Sequence, residues 1–378
     1  MKTVTSVAVF CFKPMKFERP TYLLNPDICK SNIRTMAARA SRSGVIFRPH
    51  FKTHQSLVIG RWFREAGVSK ITVSSLAAAR YFASDGWTDI TVAFPVNLRE
   101  IGLINELASH VRIGLLIEHP DVALELEKNL KFPVDVYIKI DTGYHRTGLS
   151  EDEMPVIRQL TDLISGSSLL NLKGLLTHAG HTYGASTRDQ VNEIYLSSTR
   201  ILNEVRKNIG TAGEGLLLSY GDTPSCSIVE DFSNIDEIRP GNFIFYDLMQ
   251  FVAGSCDFSQ VAGVVVCPVV AVHASRNQAV LYGGAIHLSK EFLIIDGRRI
   301  YGQVVEMDDN KWGNPIPGAY LVSLSQEHGI LEGGDHIINE LRPGMTVGII
   351  PVHSCLTANL LQGYQMTDGG DGDYFLGK

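Results

Sequence analysis

Short apolar runs alternate with longer amphipathic segments along roughly the first 250 residues of this chain. Apolar runs of about four to eight residues that end at polar or turn residues are typical of buried strands. Eight such runs are predicted as strands: Val45–Phe47, Ile71–Ser74, Ile90–Phe94, Val111–Glu118, Val134–Asp141, Leu172–Thr177, Gly215–Ser219 and Ile235–Arg239. A ninth strand, Thr21–Leu24, is predicted ahead of them.

The segments between these strands have helical spacing. A helix capped by Asn25 is predicted to begin at Pro26 and to end near Ser43. Further helices are predicted at Leu76–Ser84, Leu98–Ser109, Pro120–Asn129, Glu153–Ser165 and Arg188–Ile209. Eight strands separated by helices match a (β/α)8 TIM barrel. An open doubly wound sheet is the alternative, but it normally has a glycine-rich turn after its first strand, where this chain has Arg48-Pro49-His50.

The pattern changes after about Gln250. β-branched and apolar runs broken by Gly, Pro and Asn follow, at Val261–Ala274, Ala279–Tyr282, Tyr320–Leu324 and Thr346–Pro351. We therefore predict an α/β barrel domain over residues 19–250 and a second, mostly β domain over residues 251–378, the latter together with residues 1–18.

Composition excludes several classes of function. The 378 residues are 44% hydrophobic and 20% charged with a formal net charge of -6, which disfavours nucleic acid or an anionic membrane as the partner. The six cysteines lack CxxC spacing, which favours a reducing cytoplasm over a disulfide framework. The apolar run within Met1–Phe12 is too short for a signal peptide and is predicted as a strand.

Lys52 is the first candidate for chemistry. It lies in the stretch Arg48-Pro49-His50-Phe51-Lys52-Thr53-His54, just past the first of the eight strands. A lysine at the end of a barrel strand lies at the face where barrel enzymes have their active sites. Nearby cations such as Arg48 lower the pKa of an amine, which suits Schiff-base chemistry. The alternative is a solvated surface lysine, and the motifs further along the chain argue against it.

Two loops lie where barrel enzymes commonly hold a phosphate, after the seventh and eighth strands. The first contains Gly221, Asp222 and Thr223, and the second contains Gly241 and Asn242. Glycines allow a close backbone approach, and the first loop also opens a helix with its N-H groups toward an anion. Because a carboxylate is unfavourable beside a phosphate, the Asp222 side chain is predicted to cap that helix. Two ordinary Gly/Pro turns are the alternative.

Polar and aromatic residues also follow the fifth and sixth strands, at Asp141–Gly148 and His178–Gly184. A single histidine is more often structural than catalytic, but several histidines over one barrel end favour a functional site.

The second domain contains a candidate metal-binding pair, His353 and Cys355. On a strand, residues two apart face the same side, so we expect the imidazole and the thiolate to share one cation. Histidine with cysteine favours zinc, and two protein ligands leave positions open for water or substrate. One His-x-Cys motif is a weak signal, because zinc sites usually have three or four protein ligands.

Taken in order, these motifs resemble the D-serine dehydratase and D-threonine aldolase family, fold-type III pyridoxal-phosphate enzymes with an alanine-racemase-like barrel. The resemblance covers nearly the whole chain from about residue 20. It rests on Arg48–His54, Asp141–Arg146, His178–Tyr183, Gly221–Pro224, Arg239–Asn242 and His353–Cys355. Six ordered motifs are far more specific than any one of them.

The resemblance implies a role for each motif. It makes Lys52 the Schiff-base lysine of the cofactor. The implied ligands of the cofactor phosphate are Gly221, Asp222, Thr223, Gly241 and Asn242. Arg146 is implied to contact the phenolic oxygen of the cofactor, and Tyr183 is implied to lie beside the cofactor ring. Arg239 is implied to lie at the pyridine nitrogen or to have a structural role. His353 and Cys355 would bind Zn2+ or another divalent metal. A homodimer is also implied, because the family's second domain completes the active site of a partner subunit.

The implied reaction is the dehydration of a D-3-hydroxy amino acid, such as D-serine or 3-hydroxy-D-aspartate, to a 2-oxo acid and ammonia. Lys52 would remove the α-proton, and His178, His181 or a water on the metal would handle the second proton. The family's dehydratases pair His with Cys, whereas its aldolases tend to pair His with Asp. A metal-dependent D-threonine-type aldolase giving glycine and an aldehyde is therefore the second interpretation. An amino-acid racemase and a non-catalytic pyridoxal-phosphate carrier are further alternatives.

Overall fold

The computed structural model describes residues 17–377, so the strand predicted within Met1–Phe12 lies outside the described residues. The strands of the described part, numbered in chain order, are β1 Thr21–Leu24, β2 Ile46–Phe47, β3 Ile71–Val73, β4 Asp89–Pro95, β5 Arg112–Ile117, β6 Val134–Lys139, β7 Leu170–Leu176, β8 Leu217–Tyr220, β9 Glu237–Ile238, β10 Gly263–His273, β11 Gln278–Tyr282, β12 Leu293–Ile295, β13 Arg298–Ile300, β14 Gly302–Asp308, β15 Lys311–Leu324, β16 His328–Glu332, β17 Thr346–Pro351, β18 Tyr364–Met366 and β19 Asp371–Gly372.

The α-helices of the same residues are α1 Pro26–Arg42, α2 Leu57–Glu65, α3 Leu76–Ala83, α4 Ile101–Ala108, α5 Pro120–Asn129, α6 Met154–Ser165, α7 Arg188–Ile209, α8 Thr223–Ile228, α9 Leu248–Val252, α10 Ala285–Leu288, α11 Asp335–Ile338 and α12 Ser354–Leu361. Residues of one apolar face decide where these helices pack. In α6, for example, Ile157, Leu160 and Ile164 are buried at helical spacing.

The strands β2 to β9 form one parallel sheet in the order β2-β9-β8-β7-β6-β5-β4-β3. Its two ends meet just past β2, where the Phe51 N-H donates to the Thr72 carbonyl at 2.8 Å and the Thr72 N-H donates to the Pro49 carbonyl at 2.9 Å. A closed parallel sheet with intervening helices is a (β/α)8 barrel. The eight predicted strands and the predicted barrel are therefore confirmed, and the open doubly wound sheet is wrong.

Apolar side chains fill the interior of this barrel. Leu116 on β5, Tyr137 on β6 and Leu176 on β7 form one buried cluster. Side chains alternate across a strand, so the residues two positions from these also face inward, toward the C-terminal end where chemistry is expected.

The described part contains a second, nine-stranded sheet in the order β11-β16-β15-β14-β17-β10-β1-β18-β19. A further pairing of β11 with β10 closes six of these strands into a ring. The predicted mostly β region is thus confirmed. The strand β1 belongs to this sheet, because Tyr22 pairs with Val265 of β10, and the barrel sheet does not include it.

The chain divides into two compact units. The β unit comprises residues 17–31, 244–252 and 256–374, and the barrel unit comprises residues 32–243, 253–255 and 375–377. Among the described helices, none has both the length and the apolar character needed to cross a bilayer.

Candidate active site

A cavity of about 400 Å3 opens at the C-terminal ends of the barrel strands. Loops from most of the way around the barrel contribute to its wall, because parallel strands bring their ends to one rim. The predicted residues in this wall are Lys52, Arg146, His178, Tyr183, Asp222, Arg239, Gly241 and Asn242. Five of the six sequence motifs therefore meet around one small volume.

Lys52 has a different set of neighbours from the one expected. His50 shares the cavity wall with it, and the His50 Nδ1 accepts a hydrogen bond from the Lys52 N-H at 3.3 Å. Burial, the Lys52 charge and the Arg239 charge hold the pKa of His50 well below its usual value. Arg48 instead pairs with Glu237 at 2.6 Å, and His54 stacks on Phe63 with ring centroids 5.5 Å apart.

The loop after β8 behaves as predicted for Asp222. Its Oδ1 accepts the Ser225 N-H at 2.6 Å, so Asp222 is the N-cap of α8. Burial raises the pKa of Asp222 to about 6. The Thr223 Oγ1 is buried and has no hydrogen-bond partner among the described residues, and the Thr223 N-H donates to the Tyr183 hydroxyl at 3.4 Å.

Two glycines let the loops after β8 and β9 approach other backbone and side-chain atoms closely. A Cβ on Gly241 would lie 2.9 Å from the His50 carbonyl oxygen, and a Cβ on Gly221 would lie 3.3 Å from the Arg239 Cζ. Real Cβ atoms essentially never come that close to a backbone oxygen, so Gly241 is required by space. The sequence expectation of close backbone approach in these loops fits this geometry.

Asp141 shapes the loop that carries Arg146. Its Oδ1 accepts the N-H groups of Gly143, Tyr144 and His145 at 3.0 to 3.1 Å. Although burial raises its pKa, the N-H groups of His145 and Gly143 together with the His145 ring hold the pKa of Asp141 below its usual value. The Arg146 guanidinium lies over the Tyr144 ring, 5.1 Å from the centroid, at the cavity wall.

The two candidate proton-transfer histidines differ in position. The His178 Nδ1 lies 2.6 Å from the Gly221 carbonyl oxygen, which can only accept, so Nδ1 carries the proton. Burial, Lys52 and Arg146 hold the pKa of His178 well below its usual value, so the ring is neutral and its Nε2 is an acceptor. His181 stacks on Tyr144 with ring centroids 6.2 Å apart.

Lys139 was not predicted from the sequence, yet it lines the same cavity. It ends β6, is only 5% exposed, and its Nζ donates to the Ile140 carbonyl at 2.9 Å. Burial and the Arg239 charge lower the pKa of Lys139 to about 7. The available signal was strand alternation, which puts Lys139 on the inward face with Tyr137.

The candidate metal pair lies in the β unit, and the strand predicted to carry both residues is wrong. The strand β17 ends at Pro351, His353 is the N-cap of α12, and Cys355 lies in the first turn of that helix. The buried Asp247 fixes this turn, because its Oδ2 accepts the Ser354 N-H at 2.8 Å. Among the described residues, no group of three or more His, Cys, Asp and Glu side chains has the arrangement of a metal site.

The fold and the cavity place the chain in a known class. A closed parallel barrel with basic side chains at its strand ends, followed by an antiparallel β unit, matches alanine-racemase-like proteins. The chain belongs to the alanine racemase N-terminal domain family, whose model matches residues 24–248. Residues 262–367 match the serine dehydratase domain model. The family predicted from the sequence is thus confirmed.

Individual relatives resemble the chain over most of its length. D-serine dehydratase from Dictyostelium discoideum is 26% identical over 92% of this chain and 92% of its own. D-threo-3-hydroxyaspartate dehydratase from Delftia sp. strain HT23 is 27% identical over 93% of this chain and 94% of its own. The solved structure of the Delftia protein has a TM-score of 0.88 at 26% identity and covers 96% of this chain and 99% of that chain.

Mutant structures of one dehydratase and the sequence of an aldolase also resemble this chain. The Delftia protein has also been solved as a cysteine-to-alanine mutant in the metal-free form and as a histidine-to-alanine mutant. D-threonine aldolase from Arthrobacter sp. is 23% identical over 61% of this chain and 62% of its own. The dehydratases therefore match much more of the chain than this aldolase does.

Proposed function

We propose that this protein is a pyridoxal-phosphate- and zinc-dependent lyase that dehydrates a D-3-hydroxy amino acid, such as D-serine or 3-hydroxy-D-aspartate, to a 2-oxo acid and ammonia. One observation carries the proposal: Lys52 shares a cavity of about 400 Å3 with Asp222, Gly241 and Asn242 of the two phosphate loops and with two arginines. The relatives named as dehydratases also span more than nine tenths of the chain.

The cavity suits pyridoxal phosphate by its charge. Lys52, Lys139, Arg146 and Arg239 line it, against one carboxylate, Asp222, that already caps a helix. Such an excess of positive charge matches a ligand with a phosphate and a phenolate, together with a substrate carboxylate. The buried Thr223 hydroxyl, which has no protein partner among the described residues, supplies a donor for the phosphate.

The family resemblance assigns residues to each part of the cofactor, and all of them except Gly221 and Thr223 line the cavity. Lys52 would hold it covalently, and Arg146 and Tyr183 would contact its ring. The phosphate would be held by the loops after β8 and β9, through Gly221, Asp222, Thr223, Gly241 and Asn242. Arg239, which is 4% exposed and fixed by Ser219, would face the pyridine nitrogen. When bound, pyridoxal phosphate stabilises negative charge on the α-carbon of an amino acid.

The protein groups then divide the proton transfers. The Lys52 amine accepts the α-proton of the substrate and becomes a cation that can donate a proton later. His178 is neutral and keeps its proton on Nδ1 for the Gly221 carbonyl, so its Nε2 acts as an acceptor that orients the substrate. His181, stacked on Tyr144, remains a candidate for the second proton transfer.

The metal would be held by His353 and Cys355. Cys29, Cys226, Cys256 and Cys267 are buried, and burial raises the pKa of each thiol. Cys355 differs from these four, because it is partly exposed and lies in the first turn of α12. A thiolate with an imidazole is a zinc-type donor set, and Zn2+ would act as a Lewis acid at the β-hydroxyl of the substrate.

We also propose a homodimer that acts in the cytoplasm on a small-molecule substrate. The dimer follows from the family resemblance. The cytoplasmic location is supported by the cysteines, since the five that the structure describes form no disulfide with one another.

The proposal is tested by product analysis. The purified protein, loaded with pyridoxal phosphate, is incubated with D-serine, D-threonine and 3-hydroxyaspartate, with and without a chelator, and L-serine serves as the stereochemical control. We expect ammonia and a 2-oxo acid from the D-substrates. Chelation should slow turnover by about 100-fold or more, because a Lewis acid contributes several kcal/mol, and added Zn2+ should restore it.

Each alternative has its own outcome in this experiment. Glycine and an aldehyde from D-threonine would establish the aldolase, which is the second candidate because a D-threonine aldolase is among the relatives. Inversion that survives the chelator would establish a racemase. Absence of turnover for every substrate would favour a cofactor carrier and reject the dehydratase.

A further inference from the structure

Two buried polar side chains inside the barrel, Ser219 and Glu237, are connected to Arg239 by hydrogen bonds. Ser219 of β8 and Glu237 of β9 are paired neighbours in the parallel sheet, so their side chains lie on the same face. Arg239 follows Glu237 by two residues and therefore faces the same way. Ser219, Glu237 and Arg239 can thus form one continuous polar contact inside the barrel.

The direction of each hydrogen bond in this line is fixed by chemistry. The Arg239 Nε can only donate, and it donates to the Ser219 Oγ at 2.6 Å. The Ser219 hydroxyl proton is therefore directed to the Glu237 Oε1, which lies 2.6 Å away. The Arg239 guanidinium also donates through Nη2 to the Thr177 carbonyl oxygen. The orientation of the guanidinium plane is set by these contacts.

Glu237 is shared between two arginines. Its Oε2 accepts the Arg48 Nε at 2.6 Å, while its Oε1 serves Arg239 through Ser219. Arg48 has a second carboxylate of its own, since its Nη1 lies 2.5 Å from the Asp89 Oδ1. Arg48 therefore does not neutralise the Glu237 carboxylate by itself, and Glu237 can also serve as a counterion of Arg239.

Arg239 needs such a counterion because of its burial. Its side chain is 4% exposed, and burial lowers the pKa of Arg239 to about 10, with the Glu237 carboxylate acting in the opposite direction. A buried cation without a partner is costly and becomes easier to deprotonate. Glu237 is itself fully buried, so its field is poorly screened by water.

We propose that Ser219 and Glu237 are positioning residues, which hold Arg239 charged and in one orientation at the wall of the cofactor cavity. Through this fixed cation they set the electrostatic environment of the cofactor ring. The inference rests on the proposed function, because it assigns Arg239 to that ring. A purely structural network, which stabilises the barrel and leaves the cofactor unaffected, is the competing interpretation.

The experiment compares Ser219→Ala with Asp89→Asn in the protein loaded with pyridoxal phosphate. Ser219→Ala removes the link between Arg239 and Glu237 and leaves the Arg48 ion pairs in place. Asp89→Asn removes a carboxylate from the same network but does not touch Ser219, Glu237 or Arg239. The measurements are the cofactor dissociation constant, the pH midpoint of the visible cofactor band, and the melting temperature.

For Ser219→Ala we expect about tenfold weaker cofactor binding, because a hydrogen bond to a charged group is lost. The pH midpoint of the visible band should rise by about one unit, since a weakened positive charge lets the chromophore keep its proton to higher pH. Asp89→Asn should lower the melting temperature and leave both cofactor measurements at wild-type values. Glu237→Gln, a second variant that keeps the side-chain shape, should shift the midpoint in the same direction as Ser219→Ala.

The outcomes separate this inference from the proposed function. A normal visible band in the wild type, with unshifted midpoints in Ser219→Ala and Glu237→Gln, would overturn the inference and leave the function standing. The same holds if Asp89→Asn shifts the midpoint as much as Ser219→Ala does. A wild-type protein that forms no visible band with pyridoxal phosphate would overturn both.

Discussion

Two histidines in the cavity wall, His50 and His178, stay neutral in the folded protein. Burial comes first among the causes, and the nearby Lys52 adds to it in both cases. Each neutral ring has one nitrogen that can accept a hydrogen bond. In His50 this is Nδ1, which accepts the Lys52 N-H. In His178 it is Nε2, because Nδ1 donates its proton to the Gly221 carbonyl oxygen. These two rings therefore add no positive charge to the cavity wall.

This neutrality makes stability depend on pH. The unfolded chain binds a proton on each histidine near pH 6.5, whereas the folded protein does not, so the free energy of unfolding falls as the pH drops below 6.5. His178→Gln should reduce this decline by about 1 kcal/mol per pH unit. Denaturant unfolding at pH 7.5, 6.5 and 5.5 measures the slope.

His110 offers the matched control, since it is exposed at the end of α4. The decline should be smaller in His178→Gln than in His110→Gln. An identical slope in His178→Gln and the wild type would show that His178 is protonated in the folded protein.

The sequence predicted the surroundings of a single residue only where they depend on neighbours in the chain. The cap formed by Asp222 was predictable, because the pattern of a helix start is local. Lys139 was missed, because a lysine in a strand is usually solvated and its burial depends on barrel closure. Arg48 was expected beside Lys52, but its partner Glu237 is 189 residues away in the chain, and local sequence does not predict such a pairing.

At the scale of elements, the loop after β9 is held against the loop after β2. A Cβ on Gly241 would lie 2.9 Å from the His50 carbonyl oxygen, 3.1 Å from the His50 Cβ and 3.2 Å from the Thr53 Oγ1. His50 and Thr53 flank Lys52, so this contact couples one of the two phosphate loops to the segment that carries the amine.

Gly241→Ala should therefore separate these two loops. We expect a loss of about 1 to 3 kcal/mol in the free energy of unfolding, because the backbone has to move, and about tenfold weaker binding of pyridoxal phosphate. Gly102→Ala is the matched control, since Gly102 lies in α4 with open space around it, and the change should stabilise by up to about 1 kcal/mol. Cofactor binding as tight as in the wild type would contradict the coupling of the loops.

The element around His353 shows why the strand geometry expected for the metal pair was wrong. The strand β17 was predicted correctly to end at Pro351, but the geometry expected for His353 and Cys355 required the next four residues to continue it. The buried Asp247 binds the Ser354 N-H and helps to start α12 there. This contact spans 107 residues, so the local pattern contained no signal for it.

At the scale of the whole molecule, hydrophobic periodicity predicted the architecture well. Each apolar run became a barrel strand, because a strand buried on both faces has to be apolar throughout. Assignment of β1 was the exception, since pairing of Thr21–Leu24 with β10 depends on residues more than 230 positions later. The cavity could be anticipated because parallel strands always place their ends together, whereas its volume and its fourth basic side chain, Lys139, required the closed barrel.

The most direct test of this account locates the cofactor on the chain. The protein loaded with pyridoxal phosphate is reduced with borohydride, digested, and its peptides are mapped by mass spectrometry, with Lys52→Ala as the control. Lys139 is an internal comparator, because it is a second amine in the same cavity. We predict the pyridoxyl group on Lys52 and its loss in Lys52→Ala. Label on Lys139 or another lysine in the wild type, or no label at all, would contradict the account.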